Sequence, residues 1–555
     1  MERGRIHLLL LDGVALAALL LACAVLLGGL EDVLDLAPWD EADYLRQGRS
    51  LSSRGLPDPE WGPLYVAWYA ALAWFGLEPI ASYYASQTVL VTLSCALIFG
   101  CARRLGAPAG VALMGALLFL LSGAPHVSPR PTLLALGVTL AALFASTWVR
   151  TFPAACAALG LGLLVASFAR PEFFVSFVAV TGVFLVSVAR RRGWPARRWM
   201  LAGYATPVLV LFGVFGNPFG DATGRRMFAF CQHYALGEVE RSALPLNPWA
   251  ECGNVLEQSF GEIEGVSQAF LRNPAAFLVH VGHNAARYPV ASVGLFSRGF
   301  GDARPDRGPW TITRTVQLTA LMVVLCAAGL ALWRRRPGPG GALSRATVQR
   351  SGLALGAILA PAVLSALLIY PREHYLVLQG VFVPLFAVAC LAESARPGPD
   401  RETWSAPSWA MIMAVLAVAP ALTLSPEPIA PRPNLAVVKA LSDLKSTLPA
   451  RPDQPIHIFE LQGGYDAYLG PDFERVPLSD RRPGESILAF LRRNDVQVVV
   501  LEPELERFRT LRSDAEFQAF AAAPEAWGFT VHPVGGTDRK VVIRRGDRLP
   551  FYRRR

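Results

Sequence analysis

Charge is what this sequence has least of. Of its 555 residues only 17% are charged, and lysine is almost absent. Arginine carries the positive charge, and it stands in clusters beside apolar runs. The net charge of +9 therefore does not point to nucleic acid; clusters so placed set membrane topology. The C-terminal region has no glycine-rich phosphate fingerprint and no evident catalytic triad, so no catalysis is expected there. The first apolar run lacks a small-residue cleavage site, so it is expected to persist as a helix.

What is abundant is apolar. The chain is 53% hydrophobic with mean hydropathy +0.36, too apolar for a soluble protein of this length. The runs predict a polytopic α-helical membrane protein of about eleven transmembrane helices. The first is Ile6 to Leu30. The others are Ile80–Cys101, Ala109–Ser122, Thr132–Trp148, Ala154–Phe168, Phe173–Ala189, Met200–Phe215, Thr315–Trp333, Gly352–Tyr370, Tyr375–Leu391 and Trp409–Leu424. Asp12 lies inside the first run and needs a partner there.

The arginine clusters alternate with these spans. Arg103-Arg104, Arg150, Arg190 to Arg198, Arg334-Arg335-Arg336, and Arg396 with Arg401 fall on one side, expected to be cytoplasmic. The acidic segment 31–60, the loop 216–313, the short turns 123–131, 169–172 and 371–374, and the C-terminus fall on the other. The N-terminus is thus inside and the C-terminus outside. Cys231 and Cys252 share the long outside loop, where an oxidising compartment permits them to pair.

Two domains are expected: a transmembrane domain over 1–424 and a small α/β domain over 425–555. In the second, Ile456–Phe459, Val496–Leu501, Phe529–Val531 and Val541–Ile543 read as strands. Asn434–Thr447, Gly484–Arg493 and Ser513–Ala522 read as helices, with Asn434 as a cap. Gly463-Gly464 reads as a turn. Leu51 to Gly76, rich in Trp and Tyr, reads as an interfacial helix opened by Pro63.

The chemistry is expected at Pro38-Trp39-Asp40-Glu41-Ala42-Asp43-Tyr44, directly after the first span. On a helix over 40–50, Asp40, Asp43 and Tyr44 share a side. A carboxylate there is suited to general-base work, or it simply caps a short helix. Three outside turns carry arginine against the usual bias: His126 to Pro131 with Arg130, Arg170-Pro171-Glu172, and Tyr370-Pro371-Arg372-Glu373-His374-Tyr375. Guanidinium pairs bidentately with phosphate, so an anionic ligand accounts for them. Arg130, Arg170, Arg372 and His374 are the candidate phosphate ligands, with Glu172, Glu373 and Tyr375 in support. A helix over 274–289 carries His280, His283 and Arg287 near one face, a pattern for a metal, a phosphate or plain solvent.

An N-terminal membrane helix, Asp40-Glu41 in the first outside loop, and Gly62-Pro63-Leu64-Tyr65 opening an interfacial helix resemble the GT-C superfamily. So do the Arg170-Pro171-Glu172 and Arg372–Tyr375 turns and a C-terminal extracytoplasmic α/β domain. These are the integral-membrane glycosyltransferases that use polyprenyl-phosphate sugars, here in the branch of the RgtA-like, aminoarabinose and protein-mannosyl transferases. The resemblance implies inverting transfer of a hexose or pentose from a polyprenyl-phosphate-linked sugar donor to a glycan, lipid or protein acceptor. It places the protein among membrane lipid in a bacterial inner membrane, with the active site and C-terminal domain periplasmic. It assigns the catalytic base to Asp40, with Glu41 supporting it or positioning the acceptor. Some relatives bind a divalent metal; Glu60 or Glu78 with His280 or His283 are the residues here that offer such ligands. A transporter or lipid flippase, or a non-catalytic scaffold, are the alternative readings.

Overall fold

The computed structural model describes residues 2–297, 345–381, Leu385 and 432–545, apart from 106, 127–129, 192, 221–223, 244–245, 250, 446–447, 449–453, 462, 483, 504 and 506–507. The expected spans Thr315–Trp333 and Trp409–Leu424, and the later part of Tyr375–Leu391, lie outside these residues. The chain forms two compact units. One comprises Met1–Gly29, Leu56–Tyr65 and Gln87–Pro426; the other comprises Leu30–Gly55, Val66–Ser86 and Glu427–Arg555.

Among the described residues three helices are long and apolar enough to cross a membrane: Leu10–Asp32, Pro79–Arg104 and Trp194–Phe215. Ala109–Leu121, Pro131–Ser146, Phe152–Ser167, Phe173–Ala189 and Gly356–Leu368 are apolar but shorter. The 13 residues of Ala109–Leu121 rise about 20 Å, against a hydrocarbon core of about 30 Å. These five coincide with expected spans, and Gly356–Leu368 is the apolar part of the 24-residue helix Arg345–Leu368. They pack on one another: at Gly162 a Cβ would lie 2.1 Å from Ala142 Cβ, so the missing side chain sets the approach of two neighbouring helices. Asp12 finds its partner in Arg103, with Nε to Oδ1 at 2.7 Å.

The described residues of the loop 216–313 form a helical layer of the first unit. Arg225–Ser242, Cys252–Phe260, Val266–Arg272 and Pro274–Ser297 enclose Phe230, Tyr234, Phe260, Ala269 and Phe277. Cys231 and Cys252 form a disulfide, with Cα atoms 5.4 Å apart. Closing a loop of 21 residues stabilises this layer by about 3 kcal/mol in the chain-entropy account.

The second unit is built on a five-stranded mixed sheet: β1 Ile456–Phe459, β2 Phe473–Arg475, β3 Val498–Leu501, β4 Phe529–Pro533 and β5 Lys540–Arg544. The order is β2-β1-β3-β5-β4. β1 runs parallel to β2 and β3, while β5 runs antiparallel to β3 and β4. β3 is β-branched and buried on both faces, as a central strand requires. Helices Pro433–Leu444, Ile487–Arg493 and Ala515–Ala522 complete it. Phe459, Leu491, Val499, Phe517, Phe520 and Val542 form its core. Strand β2 was not expected; three residues containing Glu474 and Arg475 show no strand alternation.

The Asp40–Arg49 helix also belongs to this second unit. The segment 51–76 is not one interfacial helix. It is a short helix Leu51–Arg54, a 3₁₀ turn Pro59–Trp61 and the helix Pro63–Trp74 that Pro63 opens. Tyr65 and Tyr69 are fully buried rather than displayed at a headgroup boundary.

Candidate functional site

Asp40 opens its helix, and Trp39 precedes it in a conformation that few residues accept. Trp39 has φ 63° and ψ −128°, a region that is essentially glycine's own. Such a backbone costs of order 1–3 kcal/mol and must be held by its surroundings. The Trp39 N–H donates to the Gly463 carbonyl at 2.7 Å, and its carbonyl accepts from Asp43 N–H at 3.0 Å. The glycine pair is the seat. A Cβ on Gly463 would meet Trp39 Cε3 at 2.9 Å, and one on Gly464 would meet Ala42 Cβ at 2.2 Å. The N–H groups of both glycines donate to the fully buried Glu460, at 2.5 and 2.7 Å. Arg475 pairs with that same carboxylate at 3.1 Å. Burial pushes Glu460's pKa up, against the pull of Arg475.

The two acids of the motif divide their environment. Asp40 is half-buried. Glu41 is fully buried and accepts a hydrogen bond from the Tyr69 hydroxyl at 2.5 Å. A carboxylate so enclosed anchors the helix it stands on. Of the three residues expected on one side, Asp43 is half-buried like Asp40, while Tyr44 is buried. Asp43 lies beside Arg46, and burial raises its pKa while Arg46 opposes the shift. Arg46 in turn grips Asp466 with two parallel bonds, Nε to Oδ2 and Nη2 to Oδ1, both 2.7 Å. Upstream, Asp35 accepts from the N–H groups of Asn434 and Leu435 at 3.0 and 2.9 Å. Asp35 therefore supplies the cap of the Pro433–Leu444 helix. Asn434 instead donates to the Leu36 carbonyl at 2.9 Å. The Tyr468 hydroxyl donates to the Ala37 carbonyl at 2.6 Å. The α/β unit thus holds residues 35–46 from several sides.

A second cluster forms within the first unit. Arg170 donates to Glu172 at 2.6 and 2.8 Å and lies over the Tyr375 ring, 5.2 Å from its centroid. Arg372 lies over Trp249 at 5.1 Å. His374 packs on Tyr375 with centroids 4.1 Å apart and is 6% exposed. Burial, then Arg372 and Arg170, drive the His374 pKa well down. Both causes disfavour its charged form. Arg170, Glu172, Arg372, His374 and Tyr375 are brought together. Glu373 is half-buried beside His374, and Arg130 is buried at 1% exposure ahead of the Pro131–Ser146 helix.

Sequence reasoning missed several members of this cluster. His233 stacks on Tyr370 at 5.9 Å and meets Trp249 edge-on at 5.6 Å. The Tyr370 hydroxyl donates to Glu240 at 2.7 Å, and His283 and Arg287 hold the other oxygen of Glu240 at 3.1 and 3.0 Å. Nothing in the spacing of residues 233, 240 and 249 announces these partners, because the Cys231–Cys252 fold of the loop brings them to the 370–375 turn.

Three of the residues proposed for a metal, Glu60, His280 and His283, belong to the first unit. His280 is buried, with Nε2 3.1 Å from the Ile369 carbonyl; His283 is engaged with Glu240; Glu60 is 5% exposed. Among the described residues no group of three or more His, Cys, Asp or Glu could hold a metal ion.

Fold and site together define a helical membrane protein whose acidic motif is fixed to an α/β unit and whose long loop gathers arginines and aromatic rings. No family model and no curated protein matches the chain. Among solved structures, ArnT from Cupriavidus metallidurans bound to undecaprenyl phosphate is similar over 98% of both chains, at 14% identity and a TM-score of 0.39. ArnT in the apo state is similar over the same shares, at 14% identity and a TM-score of 0.38. At such scores the functional reading rests on this chain's own residues.

Proposed function

We propose that the protein is a membrane glycosyltransferase that uses a polyprenyl-phosphate sugar. One observation carries the reading: Asp40, the half-buried acid of the pair, opens a helix tied to Gly463 through Trp39 and stands beside a buried, hydrogen-bonded Glu41. A general base must be both reachable and fixed. In the reaction, Asp40 takes the proton of an acceptor hydroxyl. The hydroxyl oxygen attacks the anomeric carbon, and the bond from that carbon to the phosphate oxygen breaks. Polyprenyl phosphate leaves with the electron pair, and the configuration inverts. Arg170 and Arg372 are assigned to the donor phosphate, as charge-assisted donors that favour the leaving anion. The Cys231–Cys252 disulfide supports an oxidising, periplasmic location for this loop in a bacterial inner membrane.

The test is release of free undecaprenyl phosphate. Purified protein would be incubated with glycosylated undecaprenyl phosphate and a membrane extract as acceptor. Release is expected, and it should fall at least tenfold in Arg170→Ala and in Arg372→Ala through weaker donor binding. Movement of the intact donor across a vesicle bilayer without release would instead establish a flippase.

A further inference from the structure

Trp39 is a large apolar residue that is 50% exposed, next to the proposed base. Its backbone is in the glycine region at φ 63°, so nothing in local sterics favours tryptophan there. The edge atoms Cε3, Cζ3 and Cδ2 rest against Gly463, which has no side chain to displace them. The ring is thus backed by backbone and open to the outside. Asp35, Glu41, Asp43, Arg46, Glu460 and Asp466 around this segment are bound to one another, to backbone or, for Glu41, to the Tyr69 hydroxyl, whereas Trp39 contributes its main-chain hydrogen bonds and an indole left showing. A strained backbone that presents an aromatic face is a pattern of ligand sites.

We infer that the Trp39 indole is the platform on which the donor sugar ring lies. This rests on the glycosyltransferase reading. The donor's sugar is the ring that every version of the reaction brings within reach of Asp40, because the attacking hydroxyl must lie between Asp40 and the anomeric carbon. The acceptor need present only a hydroxyl. A pyranose offers one face of axial C–H groups, apolar and slightly positive, and an indole face is apolar and slightly negative. Stacking there orients the anomeric carbon without using a hydroxyl, so it tolerates different sugars. Its worth is up to about 1.5 kcal/mol beyond simple burial, or about tenfold in affinity.

The test uses full-length protein in lipid nanodiscs and five probes. These are bare undecaprenyl phosphate and the same carrier bearing glucose, mannose, galactose or arabinose. Titration calorimetry on the wild type should show at least one glycosylated carrier bound about tenfold more tightly than the bare one. Trp39→Gly should abolish that difference while bare-carrier affinity stays within twofold. Its melting temperature should not drop, because glycine accepts this φ. Trp39→Phe, which keeps a ring, should retain most of the difference. The inference is overturned if Trp39→Gly keeps the full preference, if it loses bare-carrier binding as well, or if the wild type prefers none of the four sugars. A wild type that does not bind even the bare carrier sinks the glycosyltransferase reading itself, which separates the two failures.

Discussion

Acidification is expected to loosen the helical layer that holds the arginine cluster, and two histidines set the size of the effect. His233 is 4% exposed and His280 is fully buried. Burial is the main cause that lowers both pKa values, to about 4; Arg372 and His280 add to it at His233, Arg241 and His283 at His280. In the unfolded chain an imidazole titrates near 6.5, so protons bind the unfolded state first. The stability these neutral rings provide is complete above pH 6.5. It drains away as pH falls from 6.5 to 4 and changes little below that. At pH 5 linkage gives a loss of about 2 kcal/mol for each histidine, or about 4 kcal/mol for the pair. Hydrogen exchange of the Arg225–Ser242 and Pro274–Ser297 helices reads this directly. After correction for intrinsic rates, protection should fall by roughly 30-fold per histidine between pH 8 and pH 5. His280→Gln should halve the logarithm of that fall. Protection that is flat across this range would refute the reasoning.

Other outcomes follow from the acidic motif and its support. Gly464→Ala forces a Cβ into Ala42 at a backbone φ of 147°, so it should destabilise the second unit by roughly 2–3 kcal/mol. Faster proteolysis near residues 39–46 should accompany that change. Tyr69→Phe removes a hydroxyl from the buried Glu41 carboxylate and should lower stability by about 1–3 kcal/mol in a thermal melt. Cys231→Ser should lower the stability of the loop layer by about 3 kcal/mol, measured by denaturant unfolding, and make it indifferent to reductant.

How much of this was legible in the sequence depends on the range of the forces involved. The apolar runs marked the membrane helices, and β3, with its run of valines, was plain because burial on both faces demands such residues. The Asp40 helix was visible within a residue of its observed end at Arg49. What failed was contact between distant segments. Gly463-Gly464 looked like a mere turn, yet its missing side chains make room for Trp39 and Ala42, more than 400 positions earlier. Arg46 carried no signal in the sequence, and its partner Asp466 lies 420 positions away. The histidines of the 274–289 helix shared a face by periodicity. Their partners nevertheless split them, His280 turning to the Ile369 carbonyl and His283 to Glu240. Helical spacing fixes which side chains are neighbours on one element, and says nothing about what lies across from them.

The central claim is that Asp40 removes the acceptor proton, and Asp40→Asn tests it most directly. Asparagine keeps the size and the polarity but cannot take a proton. Two quantities would be measured on the purified variant: release of undecaprenyl phosphate from its glycosylated form, and affinity for the bare carrier. Release should fall by about 10²- to 10⁴-fold with carrier affinity within twofold of the wild type. Release at the wild-type rate by a folded Asp40→Asn protein would contradict the account.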